Sequence, residues 1–322
     1  MRTDLGIVAM LGKTAGGIYW LFRYLERAEN IARLVETGHR FTLTRGAGSA
    51  SEWQSIVKAL GMDAAYVARH GEYESGHVVN FLLREKGNDA SLLGVIDHAR
   101  QNARLTRTAL TREVWEAVNE SWINVNVALK RPVREAELPN ILEGIKRDSA
   151  MVRGAMHNTM LRNDVYNFAR IGNFVERADN TARLLDVKYY VLLPSVSFVG
   201  SSLDNVQWEA ILRSTSAYSV YRWLYPGRTS ALGIAQFLIF DHRFPRSLAF
   251  AYSKLLDNLR HLSNDYGVRS ASLDATEALC LQLANTDASK IFEDGLHEFL
   301  IGFLGTNRNI GALVEQDYRF TA

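Results

Sequence analysis

An all-α fold, a helical bundle built from two internally duplicated halves with approximate two-fold symmetry, is what this sequence predicts. Three observations carry that prediction. Apolar residues recur at helical rather than alternating spacing almost throughout. The 322 residues include only five prolines, at 132, 139, 194, 226 and 245. A charged segment occurs twice, 150 residues apart.

The first copy, Trp20 to Glu36, reads WLFRYLERAENIARLVE. At about 100° per residue, Ile18, Leu21, Leu25, Ala28, Ala32 and Val35 form one packed seam. Trp20, Tyr24, Ile31 and Leu34 flank it, and Tyr19, Arg23, Glu26, Asn30 and Arg33 lie opposite. So much aromatic area argues for a central helix, in which the polar stripe must be internally paired, because a buried unpaired charge is very costly. Glu29 and Arg33, at i and i+4, also have the spacing of a simple solvent pair. The second copy, FVERADNTARLLDVK from Phe174, matches Glu26 with Glu176, Arg27 with Arg177, Glu29 with Asp179, Asn30 with Asn180 and Arg33 with Arg183. Its seam is Phe168, Ile171, Val175, Ala178, Ala182 and Leu185.

In chain order, a helix is expected from about Gly17 to Arg45, stopped by Gly46, Gly48 and Ser49, and a shorter one from Ser51 to Leu60 before Gly61. His70 to His77 reads as a loop. VVNFLL is helical, a long helix follows from about Ala90 to Ala109, and Thr111 caps the next one. Pro132 to Pro139 is a charged linker leading to a bridging helix, Asn140 to Met160. Asn163 or Asp164 caps the second charged helix, Pro194 ends it, and Ser195 to Ser202 is a loop. Phe244, Pro245, Arg246 and Ser247 start another helix, with proline suited to the first turn. The last helices run from about Leu273 to Phe303 and on to the C-terminus.

Two further blocks repeat in the same order. WQSIVKAL from Trp53 matches WEAILRST from Trp208 at an offset of 155, and NFLL from Asn80 matches QFLI from Gln236 at 156, which sets Asn102 and Arg104 on Asn258 and Arg260. The organisation expected is a nine-residue N-terminal extension, a first half to about residue 131, a bridge over 132–163 and a second half over 164–322.

YWLFRYLERAENIARL and FVERADNTARLL resemble the paired Glu-Arg signatures of the bacterial alpha-E domain family, from about Met10 to the C-terminus. Phe22 and Phe174 depart from the smaller residues expected there, which touches helix packing more than charge. The resemblance implies an all-helical fold. By genomic association it also implies company with ATP-grasp ligases and transglutaminase-like proteins in amide-bond-forming or peptide-modifying systems. The Pro245, Arg246, Ser247 element belongs to the same pattern.

Composition narrows the remaining function classes. A net charge of +2 from 37 basic and 35 acidic residues gives no footprint for nucleic acid or an anionic membrane. Cys280, the single cysteine, reads as a small core residue, and disulfides within the chain are excluded, which fits a reducing, cytoplasmic setting. The N-terminus makes a poor secretion signal, and the longest apolar stretches fall short of the roughly 20 residues a membrane span needs. Glu36 with His39 and Glu74 with His77 have metal-ligand spacing, but Gly38 and Gly76 interrupt them and the second half lacks a matching pair, so no metal is expected. No nucleophile elbow, Walker loop or dinucleotide fingerprint occurs, and no cofactor is expected. His157 and His297 read as structural, and Trp53, Trp115, Trp122, Trp208 and Trp223 as core.

What remains is the polar cluster of Arg23, Glu26, Arg27, Asn30, Arg33, Glu176, Arg177, Asn180 and Arg183, with Arg104, Arg246 and Arg260 as secondary candidates. Arg33 and Arg183 offer planar forks to a carboxylate or phosphate, with Glu26 and Glu176 orienting them; alternatively the stripes pair only with each other. The function expected is an accessory, non-catalytic subunit of an ATP-grasp amide-bond-forming system. The alternatives are an enzyme that uses the cluster on a peptidic or acylated substrate, or a purely structural interaction protein. The sequence is compatible with a homo-oligomer.

Overall fold

The structure, a computed structural model, describes residues 12–45, 50–190, 202–227 and 229–320. The N-terminal extension, the Gly46, Gly48, Ser49 stop, Pro194 and residues 195–201 of the expected loop lie outside these. Among the described residues the chain is all-helical, with fifteen α-helices and two short 3₁₀ turns.

Two long helices form the axis of the fold. Helix α1 (Gly12–Arg45) and helix α8 (Asp164–Tyr190) pack directly on each other. From Thr14 to Phe41 in α1, and from Asp164 to Lys188 in α8, no residue is exposed. A helix covered on all sides cannot rely on a single apolar stripe, which is why both carry charges that find partners inside the protein. They come into tight contact at Gly172, where a Cβ would stand 2.3 Å from the Tyr19 carbonyl oxygen. Glycine is needed there for space rather than for its backbone freedom.

The other helices surround this pair. Helix α2 (Ala50–Ala59) packs on α1 and α8, followed by α3 (Asp63–Val67) and α4 (Ser75–Leu83). Helix α5 (Leu92–Leu105) lies along α1, and α6 (Arg112–Ala128) and α7 (Leu138–Thr159) close that side. Beyond α8, α9 (Ser202–Ser214) also touches α1 and α8, and α10 (Tyr218–Leu224) and α11 (Ala231–Phe240) follow. Helix α12 (Leu248–Tyr266) lies along α8, with α13 (Ala271–Ala284), α14 (Ala288–Asp294) and α15 (Leu296–Asp317) completing the bundle.

Local capping chemistry sets several boundaries. Thr111 caps α6 as expected, its hydroxyl accepting from Val114 N. The helix expected over Ala90–Ala109 is shorter, because Ser91 caps α5 at Gly94 N and the chain tightens into a 3₁₀ turn at Arg107–Ala109. Similarly, Ser247 caps α12, so Pro245 precedes the helix instead of opening it. The expected His70–His77 loop is cut short by α4 at Ser75, and α3 is an additional element. Helix α7, read as a bridge, packs against α6 and α1. Trp53 and Trp208 are core residues, but Trp223 is 79 % exposed on the short helix α10 and is no part of the core. No described helix is long and apolar enough to cross a membrane.

Candidate functional site

The charges of α1 and α8 pair both across the helix crossing and along each helix. Arg177 of α8 donates from Nε and Nη2 to Glu26 of α1 at 2.9 and 3.0 Å, and Arg27 of α1 donates from Nε and Nη2 to Glu176 of α8 at 2.5 and 2.8 Å. Both are bidentate guanidinium–carboxylate forks, the strongest geometry for such a pair. The i and i+4 partners are different carboxylates: Arg33 binds Glu29 Oε1 at 2.9 Å from Nε, and Arg183 binds Asp179 Oδ2 at 2.5 Å from Nε. The expectation that Glu26 orients Arg33 and Glu176 orients Arg183 is therefore corrected. The Glu29–Arg33 pair is no solvent pair either, since Glu29 is wholly buried. Arg33 also donates to Ser214 O at the end of α9 (2.5 Å), and Arg183 to Ala59 O at the end of α2 (2.6 Å), satisfying helix-terminal carbonyls.

Around Glu26 and Glu29 the carboxylates are enclosed by arginines, although Asn173 Oδ1 is buried without a partner among the described residues. Asn173 Nδ2 donates to Glu26 Oε2 at 2.6 Å, Arg246 Nη1 to Oε1 at 3.2 Å and Arg153 Nη1 to Oε2 at 3.3 Å. Arg246 and Arg153 also make very short contacts to Glu29. Two carboxylates thus meet four guanidinium groups. Burial alone would raise the Glu26 carboxyl, but Arg177, Arg246 and Arg153 together hold it well below its ordinary range. Burial acts the same way on Glu29, and Arg246 and Arg153 bring it to about 2. Arg246 feels the crowding: burial pulls it down to about 9, against the attraction of Glu29.

Around Glu176 and Asp179 the network is open. Arg23 donates from Nε to Glu176 Oε2 at 3.0 Å and lies 4.5 Å from the Trp20 ring in a cation–π contact. Burial opposes ionisation of Glu176, and Arg27 and Arg23 outweigh it, so this carboxyl is also lowered. Beside these groups is a cavity of about 510 Å³, bordered by Asn30, Asn180, Arg183, Ala90, Arg308 and Glu315. Asn30 Nδ2 donates to Glu176 O at 3.1 Å, while Asn30 Oδ1 and both polar atoms of Asn180 are buried without a hydrogen-bond partner among the described residues. Such orphans are rare in a folded interior.

All nine residues of the expected cluster come together here, and Arg246 joins them. Arg104 and Arg260 do not. Both are exposed, and Arg260 pairs with Glu277 at 2.9 Å, far from the axis. Their place in the second repeated block put them on outward faces of α5 and α12. Four contributors were missed: Glu29, weighed only as a solvent partner of Arg33, Asp179, taken only as a motif letter, Asn173 and Arg153. Asn173 stands 150 residues after Arg23, and Arg153 follows the buried Ser149 and Val152 on α7, so both signals were present.

Elsewhere, no group of three His, Cys, Asp or Glu among the described residues could hold a metal ion. Cys280 is partly buried, and burial pushes its thiol up to about 11. His157 sits between Tyr166 Oη and Arg170, and burial with nearby Arg170 lowers it to about 4, so it is neutral. His297, read as structural, has its Nδ1 2.6 Å from Asp186 Oδ1 and its ring stacked on Tyr189, beside a cavity of about 300 Å³.

Comparison with known proteins agrees with this architecture. An uncharacterized protein of Mycobacterium bovis and one of Mycobacterium tuberculosis are each 23 % identical over 268 residues. The alignments cover 78 % of this chain and 30 % of each relative, so the chain spans less than a third of the curated relatives it matches. No solved structure matches it. A family described as a predicted alpha-helical domain with a conserved ER motif, Alpha-E, matches residues 10–318. With the Glu26–Arg27 and Glu176–Arg177 motifs exchanging partners across its central crossing, the chain belongs to the Alpha-E family.

Proposed function

We propose that the cavity beside Glu176 binds a small carboxylate-bearing ligand of amino-acid or peptide type. The chain would then serve as a non-catalytic accessory subunit of a cytoplasmic ATP-grasp amide-bond-forming system. The observation that carries the binding half is the cavity with its orphaned amides. Asn30 and Asn180 border it with buried polar atoms that lack partners, and Arg27 commits Nε and Nη2 to Glu176 while Nη1 has no partner in the network. Arg308, exposed at the mouth, adds a second cation for a carboxylate. The ligase half is supported by family association alone, a weaker warrant.

The same reading includes an internal duplication, which explains why one side is closed and the other open. Packing supports it: α1 on α5, α7 and α9 has a counterpart in α8 on α12, α15 and α2. Ser91 and Ser247 cap α5 and α12 alike, and Arg33 and Arg183 reach carbonyls 155 residues apart, in Ser214 and Ala59. At the Ser91–Ser247 offset of 156 Arg246 corresponds to Ala90, and with α7 and α15 aligned end to end, at an offset of 158, Arg153 corresponds to Gly311. Two arginines fill one side, and two small residues stand at the matching points of the other. On this reading α7 belongs to the first half, as the counterpart of α15. An experimental structure with a different helix order in the two halves would end it.

Calorimetric titration with amino acids and dipeptides, each beside its C-terminal amide, tests the binding site. The acids should bind and the amides much less well, and Arg27→Gln should lose the difference. Equal binding of acids and amides, or none, would remove the carboxylate reading. Co-purification with an ATP-grasp ligase encoded nearby tests the partner. An enzyme in its own right has one observation in its favour, the Asp186–His297 pair beside the smaller cavity. Turnover by the isolated chain would favour it over the accessory role.

A further inference from the structure

Around Glu26 and Glu29, Arg246 reaches in from the residue before the Ser247 cap and donates to both carboxylates. Ala90, the residue before the Ser91 cap, brings no charge to the matching place beside Glu176 and Asp179. The place of Arg153 is taken differently. A Cβ on its counterpart Gly311 would lie 3.6 Å from Arg23 Nη1, and Arg23 is the residue that donates to Glu176. Four guanidinium groups therefore serve the first carboxylate pair, and three, from Arg23, Arg27 and Arg183, serve the second.

The acceptors at the second pair match one missing guanidinium. Among the described residues Asp179 accepts hydrogen bonds from Arg183 alone, and the bond to its Oδ1 is long at 3.5 Å. Glu29, in the equivalent position, accepts from Arg33, Arg153 and Arg246. Asn30 is fixed in orientation by its Nδ2 bond to Glu176 O, so its orphaned Oδ1 is an acceptor in need of a donor. Asn180 is 1 % exposed, borders the same cavity and has no partner for its Oδ1.

The geometry points to a guanidinium-bearing ligand, an arginine-type amino acid or peptide end, whose guanidinium takes the place that Arg246 fills on the other side. This rests on the ligand-site reading and the duplication register given above. The guanidinium would lie between Asp179 and the two asparagines, and the ligand carboxylate would face Arg27 Nη1 and Arg308. Five N–H donors in a planar fork can serve several acceptors at once, which the compact ammonium of lysine does less well. A neutral ureido group of the same shape has only three N–H donors and brings no positive charge to Asp179.

Calorimetry on the full chain with L-arginine, L-citrulline and L-argininamide separates these ideas. L-arginine should bind, and L-citrulline, which keeps the carboxylate but loses the cation, should bind about 10- to 100-fold more weakly. Asp179→Asn should bring the two close to parity. Ala90→Arg should supply the missing guanidinium from within, leaving the fold intact and L-arginine binding lost. L-citrulline binding as tightly as L-arginine to the parent protein would overturn this inference and leave the carboxylate site standing. So would undiminished L-arginine binding to a folded Ala90→Arg variant. L-argininamide matching L-arginine, with L-citrulline weak, would support the guanidinium pocket and count against the carboxylate site. No binding of L-arginine would overturn the inference, and if the other amino acids and dipeptides also failed, the site reading would fall with it.

Discussion

Replacing Glu26 by glutamine should be far more damaging than making the same change at Glu176, although the two residues occupy matching places in the ER motif. Glu26 is wholly buried and accepts from Arg177, Arg246, Arg153 and Asn173. A glutamine of similar size keeps one acceptor oxygen but turns an NH₂ toward groups that are themselves donors. The side chains of Arg177 and Arg246 are each only 9 % exposed, so water cannot take over for the lost charge. Breaking a buried pair from one side costs about 3–5 kcal/mol, a large part of the roughly 5–15 kcal/mol that holds a typical domain together. At Glu176 the partners are Arg23 and Arg27, with side chains 15 % and 32 % exposed, and Arg27 borders the cavity. Solvent can hydrate them, and about 1–3 kcal/mol is expected. Urea unfolding followed by circular dichroism measures both; guanidinium chloride is unsuitable because its cation is the proposed ligand group. Glu26→Gln should also lower Tm by on the order of 10 °C. A Glu176→Gln variant as unstable as Glu26→Gln, or a Glu26→Gln variant within about 1 kcal/mol of the parent, would refute the closed-and-open distinction.

Two other outcomes follow from the same geometry. Glu26, Glu29 and Glu176 all have carboxyls depressed in the folded state, so they contribute stability above the ordinary value of 4.5 that is lost as pH falls toward about 2, the value for Glu29. The urea midpoint should drop through that window, less steeply in Glu29→Gln, and a midpoint flat down to pH ~3 would contradict the depressed carboxyls. Gly172→Ala should destabilise by about 1–3 kcal/mol or more, because its Cβ meets the Tyr19 backbone, whereas Gly144→Ala, with open space around it, should gain up to about 1 kcal/mol. Similar thermal melts for the two alanine variants would mean that α1 and α8 do not meet at Gly172.

The all-α class and the central helices were legible because period and paired motif are local signals. α1 was read from Gly17 to Arg45 and runs from Gly12 to Arg45, and the seam from Ile18 to Val35 is buried throughout. What the sequence could not supply was the pairing. Helical spacing links Glu29 to Arg33 at i and i+4, but nothing in the spacing says that Arg27 passes over its own helix to grip Glu176. That choice follows from the crossing of α1 and α8 at Gly172, a long-range property. Arg153 was hidden for the same reason: it lies on α7, 127 residues from Glu26 in the chain. Arg104 and Arg260 were drawn in by a sequence match that identifies corresponding positions but not the direction they face. Trp223 was misplaced because an aromatic among aliphatics reads as core, while the seven-residue helix α10 buries only Tyr221.

The reciprocal exchange of arginines has a consequence for the proposed ligand site. Each fork ties α1 to α8, so the lateral position and crossing of the two helices are fixed by four charged groups before anything enters the cavity. Arg23, Arg27 and Asn30 are held by Glu176, and Arg183 by Asp179 and the end of α2. Long charged side chains normally give up much rotamer freedom on gripping a ligand, and here that freedom is already lost on folding. The closed side strengthens the arrangement, because Arg246 and Arg153 anchor the start of α12 and the middle of α7 to the same crossing. An entirely apolar crossing could be as stable, but it would leave no oriented donors and acceptors for a polar guest. On the proposed reading the buried charges are positioning machinery: one side holds the helices in register, and the other presents a prearranged polar surface where Ala90 stands in place of Arg246.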